Sequence, residues 1–97
     1  MDGQASISAD ILARYAADAA REVPGVRRVA ESPLPGRRGV RVSYEDGAVH
    51  VALHVTVEWG ASIPELGREI QARVREYLLR MADVQPAAVD VIVDEVA

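Results

Sequence analysis

His50 and His54, with Ser43 and the carboxylates Glu45 and Glu58 nearby, are the residues of this chain whose types most readily do chemistry. Two histidines suggest a metal site. In an extended strand, however, residues four apart stand about 13 Å from one another, too far to share an ion. Cys is absent, which excludes a thiolate nucleophile, a disulfide framework and every cysteine-ligated zinc or iron–sulfur centre. The spacing therefore reads as two exposed sheet histidines. Ser43 opposite His50, with Glu45 or Glu58 on the same side, supplies the elements of a serine–histidine–acid arrangement. A flat open sheet provides neither cleft nor oxyanion donors, so neither catalysis nor a metal or cofactor is expected.

A second motif, Gly36-Arg37-Arg38-Gly39, matches the GxxG loop with which KH domains clamp a nucleic-acid backbone. There the loop joins two helices. Here it follows a proline-rich connector at residues 32–36 and leads into a strand, the context of a solvated loop. Arg27, Arg28, Arg37 and Arg38, with Arg41, could still gather at one edge and attract an anion. A small RNA-binding domain using that loop and edge is thus the alternative reading. Against it stands a net charge of −4, although all 11 basic residues are Arg. An RRM-like role lacks the aromatics that stack bases.

Periodicity gives the helices and strands on which these residues sit. The chain has 97 residues, one domain's worth, with 49% hydrophobic and 27% charged residues, the composition of an ordinary globular protein. Phe is absent, so the core must be built from Val, Leu, Ile and Ala, which favours a valine-rich sheet under helices. Ser8 is a good N-cap for a helix over residues 9 to about 22, with Ile11, Leu12, Tyr15, Ala16, Ala19 and Val23 on one side. Pro24-Gly25 stops it, and a short strand is expected over residues 26 to about 31.

The register of the next pair can be worked out from its turn. Val40, Val42 and Tyr44 alternate with Arg41, Ser43 and Glu45, and Asp46-Gly47 is a two-residue type I′ signal. The strand from Ala48 to Trp59 carries apolar residues at its odd positions. That turn puts Tyr44 opposite Val49, Val42 opposite Val51, Val40 opposite Leu53, Ser43 opposite His50 and Arg41 opposite Ala52. Apolar then meets apolar on one face, and a slip of one residue would destroy the match. Trp59 shares the apolar parity and is expected in the core.

Ser62 and Glu65 form a capping box, with Pro64 in the first turn. The second helix runs to about residue 81, with an apolar stripe through Ile63, Leu66, Ile70, Val74, Tyr77, Leu78 and Met81. Glu69 with Arg73 and Glu76 with Arg80 are expected ion pairs on its wet side. Val89, Val91 and Val93 mark a last strand, parallel to the third through a crossover. The expectation is an α+β two-layer sandwich of order α-β-β-β-α-β. Its sheet is four-stranded and mostly antiparallel, with both helices on one face and the other face open.

Four stretches in order resemble the bacterial alkaline-shock or general-stress protein family. These are Ile7-Ser8-x-x-Ile11, then Ala16-x-x-Ala19-Ala20-x-Glu22-Val23-x-Gly25-Val26, then Val55-x-Val57-Glu58-Trp59-Gly60-x-x-Ile63-Pro64-Glu65, and finally Gln71, Val74 and Met81 leading to Val89-x-Val91-x-Val93. The resemblance implies a small α+β protein of Gram-positive bacteria tied to cell-envelope stress, in a family not known for enzymes. It also implies self-assembly and attachment to the membrane through a separate anchoring protein.

Together these readings make the chain a single domain over residues 1–97, loosely ordered over 1–7, that acts by self-association or by docking a protein partner. The first candidate surface is the open sheet face: Arg41, Ser43, His50, Ala52, His54, Thr56 and Ile92. The second lies around Leu79, which falls opposite Ile70 on the second helix, in line with Arg68, Ala72 and Arg75. Residues 1–4 show no basic region leading into an apolar stretch, and no apolar run approaches the roughly 20 residues of a membrane span. A cytoplasmic protein, peripheral to the membrane through a partner, is expected.

Overall fold

The computed structural model describes residues 7–30 and 39–97. The N-terminal six residues and the Arg37-Arg38 pair, on which two expectations fall, lie outside the described residues. The elements are α1 (Ala9–Arg21), β1 (Val26–Val29), β2 (Arg41–Glu45), β3 (Ala48–Val57), α2 (Ile63–Ala82) and β4 (Ala88–Val96), in the expected order.

Ser8 caps α1, its hydroxyl accepting from the Ile11 amide at 3.2 Å. Gly25 then turns the chain at φ +102°, where a Cβ would stand 3.2 Å from Leu66 Cδ1. Both the dihedral and the close approach of α2 require glycine there. The hairpin forms as its turn dictates. Asp46 and Gly47 have φ of 53° and 79°, the two positive values of a type I′ turn. Tyr44, Val42, Ser43 and Arg41 face Val49, Val51, His50 and Ala52. The ladder stops one pair short of expectation, because β2 begins at Arg41 and Val40 packs against the core unpaired.

β3 is the central strand. β2 pairs antiparallel with its first half and β1 with its last three residues, so both share one long edge. β4 runs parallel along the other edge, from His50↔Ala88 to Val57↔Val96. Both outer ladders carry a bulge, at Val26/Arg28 and at Val55/Thr56. Val51, Leu53, Val55 and Val57 of β3 are at most 1% exposed, under a layer in which Leu12, Ala16 and Ala20 of α1 meet Leu66, Ile70, Val74 and Leu78 of α2. Tyr15 and Tyr77 close the helix pair edge-to-face, with centroids 5.9 Å apart. Gln71 and Arg75 of α2 donate to the carbonyls of Val89 and Pro86 at 2.9 Å each, tying the helix to the start of β4.

Several expectations fail at the edges of elements. Trp59 is 84% exposed rather than buried, because β3 ends at Val57 and strand parity has no meaning beyond the ladder. Ile11, Ile63 and Met81 are likewise exposed, in the terminal turns of their helices. On the wet side of α2, Arg73 reaches Glu22, the C-cap of α1, at 3.4 Å instead of Glu69. Arg80 lies over the Tyr77 ring, 5.4 Å from its centroid, instead of pairing with Glu76. The capping box is half formed: the Ser62 hydroxyl accepts from the Glu65 amide at a long 3.5 Å.

Candidate interaction surface

The even residues of β3 face away from the helices. The rows that cross this open side show its make-up. Ser43, His50 and Ala88 make the first row, and Arg41, Ala52 and Asp90 the next. His54 stands between Ile92 and the Ala30 backbone, whose amide donates to the His54 carbonyl at 2.8 Å. Arg28, Thr56 and Glu95 make the last row. All seven residues expected on this face are therefore brought together. Ile92 lies beside His54.

Two side-chain pairs on this face were not legible in the sequence, and both arise from the bulges. A bulge inserts a residue into one strand and shifts the facing of the residues beyond it. In β4 the insertion at Asp94 leaves it beside His54, with Nδ1 and Oδ1 2.8 Å apart, while Glu95 becomes the partner of Thr56. In β1 the insertion at Arg27 brings Arg28 opposite Thr56. Arg28 Nη2 and Glu95 Oε1 then lie 3.5 Å apart across Thr56, which is 7% exposed as a result. Along the centre of the face the short side chains of Ala52 and Thr56 alternate with the imidazoles of His50 and His54, between charged margins.

Neither Ser43 nor His50 makes a side-chain hydrogen bond among the described residues, and the acid in contact with a histidine is Asp94 on His54. The arrangement is not that of a nucleophile, base and orienting acid. No group of three or more His, Asp or Glu side chains is placed to hold a metal ion among the described residues.

The basic edge is partly neutralised from within. Arg21, Arg27 and Arg28 line a shallow depression with Val29 and Ala30, yet Arg21 pairs with Asp18 at 2.9 Å and Arg28 with Glu95. Leu79, the second candidate surface, is 43% exposed on α2, remote from the sheet face. No described helix is long and apolar enough to cross a membrane.

The chain is similar to known proteins at two levels. YqhY of Bacillus subtilis (strain 168) is 26% identical over 92 residues, covering 84% of this chain and 68% of YqhY. Among solved structures, a histidine-to-alanine variant of the MamM C-terminal domain superposes with a TM-score of 0.60 at 17% identity, covering 91% of this chain and 98% of that one. A methionine-to-leucine variant of the same domain gives 0.58 at 19%, covering 89% and 95%. These structural likenesses establish a shared fold. The model of the family of alkaline shock protein 23, described as having a cell envelope-related function, matches residues 1–97, and this chain belongs to that family.

Proposed function

We propose that the chain is a non-enzymatic interaction protein of the cell-envelope stress response, which docks another protein surface, its own copy or a different partner, on the open side of its sheet. One observation carries the reading. β3 is the central and most buried strand, yet among the described residues nothing forms a layer over its even residues, so the sheet is covered on one side only. A face of mixed charges around a centre of histidines and small residues suits a transient contact, whose rim is polar and whose partner is recognised by complementarity. Attachment to the membrane would then be indirect, through the docked partner. Leu79 offers a lesser, separate contact on α2.

Light scattering over a concentration series, with a pull-down by wild type and by Ala52→Glu, tests this. A mass that rises with concentration, or a protein retained by wild type and released by Ala52→Glu, is the expected outcome. A strict monomer that retains no Ala52-dependent partner overturns it.

A further inference from the structure

We infer that the occupant of the open sheet face is a second copy of this chain, placed by a twofold axis that runs along β3. The inference rests on the docking role proposed above for the same face.

Charge is ordered across the rows of this face. Neighbouring strands lie about 4.8 Å apart, so the β1–β2 margin and the β4 margin are separated by roughly 10 Å, with β3 midway. Over the rows that β4 spans, the β1–β2 margin carries the cations Arg28 and Arg41 and the β4 margin the acids Asp90 and Glu95, while Glu45 lies past them opposite Ala48, at the hairpin end. The Arg28–Glu95 pair spans the gap over Thr56. The Arg41–Asp90 row does not: its acid is one methylene shorter, Ala52 lies between, and neither residue has an ionic partner among the described residues. Both are exposed.

A surface of this kind is complementary to itself under one operation. A twofold axis lying in the face and parallel to β3 carries the β4 margin of one copy over the β1–β2 margin of the other, row for row, and leaves β3 facing its own counterpart. Asp90 then meets Arg41 of the second copy, and Arg41 meets Asp90 of the second copy. Both open charges are satisfied twice by one contact, as an isologous interface requires. Ile92, 37% exposed, comes over Ala30 of the second copy, and Ala52 sits on the axis as a small residue between His50 and His54, which meet their own counterparts there. An axis perpendicular to the strands would bring each β4 margin over its own counterpart and set acid against acid. Because exposed ion pairs contribute little singly and are screened by salt, the dimer is weak and salt-sensitive.

The experiment is a charge swap read by sedimentation equilibrium at low ionic strength, with circular dichroism confirming that each variant folds. Arg41→Asp and Asp90→Arg, taken singly, each set like charges opposite one another twice and should raise the dimer dissociation constant by at least about tenfold. An equimolar mixture of the two restores both attractions, as does the double variant carrying both changes on one chain, and each should recover wild-type association. Raising salt from about 0.05 M to 0.5 M should weaken the wild-type dimer. Wild type that dimerises no better than either single variant, or singles that fail to recover on mixing, overturns the row-to-row pairing while leaving docking on this face intact. Wild type that is monomeric throughout overturns the second copy as occupant. The docking role then stands or falls on the Ala52-dependent partner.

Discussion

Trp59 and Val57 are two positions apart on one strand parity, and one is 84% exposed while the other is 1% exposed. The difference is a matter of backbone. Val57 is the last residue of β3, whereas Trp59 lies past the end of the strand in a turn, its amide donating to the Ala97 carbonyl. Replacing a buried Trp with Ala costs about 3–5 kcal/mol. Trp59→Ala should instead shift urea unfolding by less than about 0.5 kcal/mol. As the sole Trp, it should also emit at the long wavelength of a hydrated indole and be quenched freely by iodide. Gly25 shows the reverse case, an unremarkable residue with a demanding place. Ala at that position must adopt φ +102° and press on Leu66 at 3.2 Å, so Gly25→Ala should lower stability by about 1–3 kcal/mol in the same unfolding assay.

At the scale of elements, the parts legible in the sequence are those governed by local rules. The β2–β3 hairpin is the clearest: one turn with two positive-φ residues sets a register that the alternation of Val42 and Tyr44 with Arg41 and Ser43 confirms. Gly47 has open space where a Cβ would stand. Gly47→Ala should therefore cost only the strain of its φ of 79°, about 1 kcal/mol, seen as a lowered urea midpoint with an unchanged slope. The two helices follow from their caps and stripes in the same way. What could not be read is how distant strands meet. The bulges of β1 and β4 reverse side-chain facing midway along each ladder, and no local pattern announces them. The pairs His54–Asp94 and Arg28–Glu95 depend on those bulges and stayed hidden for that reason. Arg73 illustrates the same limit on a helix. Spacing four apart favours Glu69, but the packing of α2 against α1 offers Glu22.

For the molecule as a whole, the decisive feature is that one strand serves two surroundings. Val51 and Ala52 are neighbours on β3, one sealed at 1% exposure beneath both helices and the other half-buried on the uncovered side. A carboxylate at position 51 would stand in a buried cluster of Leu, Val, Ile and Ala that holds no cation among the described residues. The loss should be several kcal/mol, against a total stability for a domain of this size of about 5–15 kcal/mol. Val51→Asp should therefore abolish the cooperative thermal transition. A carboxylate at position 52 stands on the open side between Arg41 and Asp90, where attraction to one offsets repulsion from the other, and faces only the modest penalty of an acid within a strand, within about 1 kcal/mol. Ala52→Glu should thus melt close to wild type and still fail to associate, because the bulk and charge would meet their own copies at the twofold. Equal thermal damage from both substitutions would mean that the second face is also structural. Loss of association without loss of folding assigns that face to contact between molecules.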